Sequence, residues 1–303
     1  MASTGIEHEE FFRETSDPAL QESADRGETK LLTYKELYEL WERQQWRTQD
    51  IDFEQDRHDW WSFPAEERYQ RMYGLSSFFI GEQEVTGELG PMIHAAPTEE
   101  MKIFLSTQIA DEARHVRFFD RFYSEVGVLE ADSLHARLEE TSRHLNPSFH
   151  QLFDEMLGAR TRRLGEDPTD QVALVEAVTL YHMIIEGMLA LTGQHFIIDY
   201  NEREGVLPGF VQGFNLIARD EHRHVAFGAR FLREKANEDA EYAEAIQRAL
   251  AEALPIAESV LVPPWADELD PVQLFGVSLD DTRAFAMQAL SRRLKVIGLA
   301  PAA

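Results

Sequence analysis

The 303-residue chain contains no cysteine. That absence removes disulfides, thiolate metal sites, iron–sulfur clusters and cysteine nucleophiles together. Lysine is nearly as scarce, standing only at Lys30, Lys35, Lys102, Lys235 and Lys295. Lys and Arg number 29 against 55 Asp and Glu, a formal net charge of −26. Such a chain is a poor partner for nucleic acid, because phosphate recognition works by displacing counterions with clustered Lys and Arg. An anionic membrane surface is disfavoured for the same reason. No apolar run approaches bilayer length, so no membrane insertion is expected. The segment MASTGIEHEEFFRETSD lacks the basic and apolar regions of a secretory leader, which points to the cytoplasm.

What is present is a globular composition, 44% apolar and 28% charged, long enough to bury a substantial core. Residues 1–30 are polar and acidic and read as a loose tail, leaving 31–303 as a single domain. No convincing series of alternating strands occurs. Thr33 followed three residues later by Glu36 has the form of a capping box and opens a helix through about Trp46. Pro64, Pro97, Pro168 and Pro208 each suit the start of a long helix, ending near Ala95, Glu125, Tyr200 and Asn237. Shorter helices are expected over 131–144, 147–163, 238–261 and 280–298, with a loop before the last. The fold class is all-α, with four long central helices and flanking ones.

Two Glu-x-x-His pairs, Glu112/His115 and Glu221/His224, each place an acid and an imidazole on one helix face. One such pair is expected by accident in so Glu-rich a chain. The placement carries more weight. Each pair lies in the second of two consecutive long helices, and each preceding helix carries an acid within an apolar stripe: Glu82, then Glu186. Glu82 shares its face with Leu75, Phe78, Phe79, Val85 and Leu89, whereas Glu84 falls on a more polar side. A lone Glu at a stripe's edge is usually a snorkelling surface residue. Glu186, inside MIIEGMLAL, has apolar neighbours all round.

Unpaired carboxylates in hydrocarbon are prohibitively costly. Four glutamates carry −4, and two divalent cations neutralise them, with one neutral imidazole for each metal. Oxygen-rich ligation with a single imidazole suits iron or manganese better than zinc. This is the layout of the di-iron and di-manganese carboxylate proteins with ferritin-like bundles. Glu82, Glu112 and His115 are assigned mainly to one metal and Glu186, Glu221 and His224 to the other, with some carboxylates bridging. Asp111, Asp220, His182 and His222 lie off the ligand faces; the two aspartates read as hydrogen-bond partners, the two histidines as supporting or surface residues.

The segments QQWRTQDIDFEQDRHDWW, FFIGEQEVTGEL, DEARHVRFF, YHMIIEGMLALTG and RDEHRHVAFG resemble the small subunit of ribonucleotide reductase. They are still more similar to its relatives, the ligand-binding oxidases with a manganese/iron site. The likeness runs from about 45 to about 230. The position of the reductase's radical tyrosine is Phe119, and no Tyr follows Tyr242 to relay a radical, so no reductase large subunit is expected as partner. The first ligand is Glu82 where most reductase subunits have Asp. The oxidases' ether cross-link joins a Val and a Tyr at offsets that Val85 and Tyr181 occupy. The resemblance further implies a long-chain fatty-acid-like ligand in a hydrophobic tunnel, dioxygen as oxidant, a homodimer, an electron donor of unknown identity, and a line Trp46–Asp220–His115 from surface to metal. Two alternatives stand beside this reading. One is a tyrosine-free reductase subunit with a manganese/iron centre; the other is a non-catalytic iron-storage or metal-binding bundle.

Overall fold

The computed structural model describes residues 31–266 and 273–299. The tail expected over 1–30 lies outside the described residues. Ten helices of nine or more residues follow one another among the described residues, with one 3-10 turn, Thr48–Asp50, after the first. They are α1 (Tyr34–Arg43), α2 (Glu54–Ser62), α3 (Ala65–Ala95), α4 (Glu99–Val126), α5 (Leu134–Ser142), α6 (147–166), α7 (Gln171–Glu204), α8 (Pro208–Glu238), α9 (Ala240–Val260) and α10 (Leu279–Ile297). A hairpin of two-residue strands, β1 (Gln273–Leu274) and β2 (Val277–Ser278), precedes α10. The architecture is all-α: α3 packs on α4 and α7 on α8, and the outer helices clothe this central set.

The helix starts follow the sequence closely. Thr33 and Glu36 form the reciprocal capping box, with Glu36 N–H donating to Thr33 Oγ1 at 3.2 Å and Thr33 N–H to Glu36 Oε2 at 2.8 Å. Thr98 caps α4 and Asp170 caps α7 through their side chains. The first helix stops at Arg43, three residues short of the expected Trp46.

Helix α2 is not evident in the sequence, because its apolar and polar residues show no helical stripe. Its role is local. The Asp56 carboxylate accepts from the backbone N–H groups of Gly209 at 2.8 Å and Phe210 at 2.6 Å, capping the start of α8. The approach is so close that a Cβ on Gly209 would lie 2.1 Å from the Asp52 carbonyl oxygen, so only glycine fits.

Helix α7 is, by length and hydropathy, apolar enough to span a bilayer, which the reading of the sequence did not anticipate. However, 83% of its apolar window is buried inside the protein. It is therefore a core helix whose apolar surface is covered by neighbours on every side. Its central stretch, Thr179–Ala190, is π-wound. Wider i→i+5 turns bring residues five apart towards one face, where α winding would set them roughly 140° apart.

Two apolar clusters fill the interior. One holds Phe104, Leu105, Val225, Phe227 and Phe231; the other holds Phe118, Phe119, Phe122, Phe210 and Phe214. On both α4 and α8 the stretch between the clusters carries the carboxylates and imidazoles. Each fully buried Phe contributes roughly 1.5–3 kcal/mol, so the polar site sits between two strongly held layers.

Candidate metal centre

The structure brings Glu82 from α3, Glu112 and His115 from α4, Glu186 from α7, and Glu221 and His224 from α8 to one place, all six buried. They form two overlapping groups, Glu82/Glu112/His115/Glu221 and Glu112/Glu186/Glu221/His224, with ligand atoms within 4.8 Å of one another in each. Glu112 and Glu221 belong to both groups. Glu82 and Glu186 belong to one each. His115 Nδ1 lies 3.1 Å from Glu82 Oε2 and 3.3 Å from both Glu112 Oε2 and Glu221 Oε1. His224 Nδ1 lies 3.3 Å from Glu112 Oε1 and Glu186 Oε1, and 3.5 Å from Glu221 Oε2.

The outer nitrogens are held crosswise. His115 Nε2 lies 3.4 Å from Asp220 Oδ2, and Trp46 Nε1–H donates to that same oxygen at 2.7 Å. His224 Nε2 lies 3.3 Å from Asp111 Oδ2, and Trp41 Nε1–H donates to Asp111 Oδ1 at 2.9 Å. Each aspartate thus supports the histidine of the opposite helix. An Nε2 facing a carboxylate keeps its proton, which leaves Nδ1 turned inward as a donor of electrons. Buried Arg223 donates to Asp111 at 2.8 Å and to Asp220 at 2.7 Å, and Arg114 pairs with both. Two arginines therefore neutralise two aspartates. Among the described residues, the four glutamates have no Lys or Arg partner and only imidazoles as basic neighbours.

Electrostatics make the deficit plain. Burial pushes the carboxyls of Glu82 and Glu186 well above the usual range. Burial acts on Glu112 in the same sense, but His224 and His115 outweigh it and hold that carboxyl well below its ordinary value. Burial disfavours charged His115 and His224, yet the surrounding carboxylates raise both well above normal. The orphaned buried atoms Glu186 Oε2, Glu221 Oε2 and His224 Nδ1 have no hydrogen-bond partner and point to the same spot. An oxygen-rich donor set with one imidazole per position fits a pair of divalent cations such as manganese or iron.

The centre opens onto an apolar cavity of about 950 Å³, counting its mouth. Glu82, Glu112, Glu186 and Glu221 line it together, as do Val85 and Tyr181. Among the described residues, no Lys or Arg lines it. Tyr181 O–H donates to Glu112 Oε1 at 2.6 Å, and burial raises the phenol's pKa well above its ordinary value. Phe119 is fully buried in a cluster with Phe78, Phe79, Phe118, Phe210 and Phe214.

Three participants escaped the sequence reading. Gln108 Nε2–H donates to Tyr181 OH and to Glu186 Oε1, each at 3.0 Å, so the π turn does put those two residues on one face. Its position one turn before Glu112 on α4 was the available signal. Trp41 gave none, because its partner Asp111 comes from another helix, and neither did the reach of Arg223 from Asp220 on its own helix across to Asp111. His182, thought supporting or superficial, is buried with Nε2 3.1 Å from Gln108 Oε1; His222 is buried as well.

A helical bundle with two facing Glu/His sets that share two carboxylates defines a dinuclear carboxylate protein. The chain belongs to the ribonucleotide reductase small chain family, whose model matches residues 29–302. That kinship makes it an oxidoreductase of the dinuclear-metal class. It is also similar to solved structures of an R2-like ligand-binding oxidase. A valine-to-isoleucine variant with aerobically reconstituted Mn/Fe cofactor has TM-score 0.77 and 30% identity, covering 88% of this chain and 94% of that one. A tyrosine-to-phenylalanine variant, also aerobically reconstituted with Mn/Fe, has TM-score 0.76 and 30% identity over 88% and 93% of the two chains. A glycine-to-phenylalanine variant gives 0.77 and 30% over 88% and 97%.

Proposed function

We propose that the protein is a dioxygen-activating oxidase holding one manganese and one iron, or two irons, and that it performs two-electron oxidations. The observation that carries this reading is a shared Glu112/Glu221 pair in the wall of an apolar cavity that Tyr181 and Val85 also line. Glu82, Glu112, His115 and Glu221 would hold one metal, and Glu112, Glu186, Glu221 and His224 the other. When bound, the metals supply dioxygen activation and redox capacity.

The chain's own residues supply geometry and proton handling. Gln108 fixes the phenol oxygen of Tyr181, and Glu112 Oε1 is placed to take its proton. The proposed first oxidation joins Tyr181 to Val85. The phenol loses its O–H hydrogen, a Val85 carbon loses one hydrogen, and one C–O bond forms. Two electrons and two protons pass to dioxygen.

The proposed ligand is a long-chain fatty acid. Apolar walls suit its tail, and with no Lys or Arg among the described lining residues the metals are the cationic partners for a carboxylate head. The working unit is proposed to be a cytoplasmic homodimer, supplied with electrons by an external donor through Trp46, Asp220 and His115.

The deciding experiment loads metal-free protein with iron and manganese, admits air, and measures intact and peptide masses. The expected result is a loss of two hydrogens and a covalent join between the peptides holding Val85 and Tyr181. Tyr181→Phe should abolish both. An unchanged mass in fully metallated wild-type protein would overturn the cross-link and leave the metal site standing.

A further inference from the structure

Phe275 lines the same cavity as the carboxylates, beside Gly74. The same ring lines a second, narrow void of about 210 Å³ counting its mouth, also lined by Trp60, Arg71, Leu75 and Leu207. Together with Ile197, which also lines both, it stands between the two spaces. The ring lies against Gly74, where an added Cβ would meet its Cε2 at 3.3 Å, and is edge-on to Tyr200 with centroids 5.9 Å apart. Gly74 precedes Glu82 on α3 by a little more than two turns, roughly 12 Å at ~1.5 Å per residue.

The backbone here is unusual. Leu274 pairs with Val277, so Phe275 and Gly276 form a two-residue hairpin turn. Their φ angles are +53° and +73°. Such a turn favours Asn-Gly or Gly-Gly, and a bulky residue at positive φ is a genuine outlier. The hairpin's own bonding has no need of an aromatic ring at its tip. Strain of this kind persists where the surroundings over-determine it and often marks a functional position.

We propose that Phe275 is the end wall of the ligand site and sets the longest straight-chain ligand the protein takes. This rests on the reading of the cavity as a site for a long-chain amphiphile. Removing the ring joins the smaller void to the cavity and extends the tunnel past Gly74.

The test equilibrates metallated wild type, Phe275→Gly and Phe275→Trp with a graded series of straight-chain saturated acids, and separately with the matching alcohols. Retained ligands are read by native mass spectrometry. Glycine relieves the positive φ, so Phe275→Gly should fold, and its Tm serves as the control. The expected result is that Phe275→Gly retains chains beyond the wild-type limit at least tenfold better, while Phe275→Trp moves the limit to shorter chains. An identical limit in all three proteins overturns the inference. Retention of alcohols with a shifted limit, but of no acid, supports the wall and overturns the reading of a carboxylate head at the metals. Retention of neither series by any of the three overturns both.

Discussion

Asp111 Oδ2 lies 3.3 Å from His224 Nε2, on the opposite helix, although Asp111 is the immediate chain neighbour of Glu112. Asp220 stands in the same relation to His115. Each of α4 and α8 thus supplies two inward groups of its own and steadies a third on its partner. The two helices cannot shift against each other without disturbing both metal positions.

Asp111→Asn should weaken the metal position that uses His224 and largely spare the one that uses His115. Loss of a carboxylate behind a ligating imidazole commonly costs 10–100-fold in metal affinity. Titration of metal-free protein against a competing chelator should show one of two binding steps weakened by about that factor. Trp41→Phe, which removes only the N–H donor to Asp111, should give a smaller loss in the same step. Equal weakening of both steps would refute the crosswise assignment.

Glu186→Ala should leave one tightly bound metal in place of two, measured as metal per chain after gel filtration. Glu186 belongs only to the group containing His224, so the group of Glu82, Glu112, His115 and Glu221 keeps its full set. Retention of both metals would show that Glu186 is no ligand.

His182 should make the metal-free protein acid-sensitive. Burial is the main cause that lowers its pKa from 6.5 to about 3. Between those values the unfolded chain takes up a proton that the folded protein refuses. Stability is then fully present above about 6.5 and falls as the pH drops towards 3, by at most about 1.4 kcal/mol per pH unit. Chemical denaturation across this window should give a shallower slope for His182→Gln. Identical slopes would mean that other groups control the acid limb.

Asp56→Ala should destabilise the fold without touching the metal ligands. Two backbone N–H groups at the start of α8 would lose their acceptor. Loss of a cap costs about 0.5–2 kcal/mol, and Tm should fall by several degrees while metal stoichiometry is unchanged. An unaltered Tm would show that water replaces the carboxylate at no cost.

Much of this was legible from local pattern. Capping residues and prolines marked the helix starts, and the intervals from Glu82 to Glu112 and from Glu186 to Glu221 anticipated helix pairs that bring the six Glu and His side chains together. What escaped notice depended on partners distant in sequence. Helix α2 has no apolar stripe, because its value lies in one carboxylate aimed at another helix's end. Phe275 and Gly276 form a tight turn whose meaning appears only when the ring is seen between two voids. The π winding of Thr179–Ala190 leaves no mark in a periodicity counted at 3.6 residues per turn, yet it allows Gln108 to reach Tyr181 and Glu186 at once.

Arg223 joins Asp111 to Asp220 through one planar group with no exposure to solvent. A guanidinium yoked to both supports makes the halves of the centre mechanically interdependent. Evolution could not readily retune one half without resetting its twin.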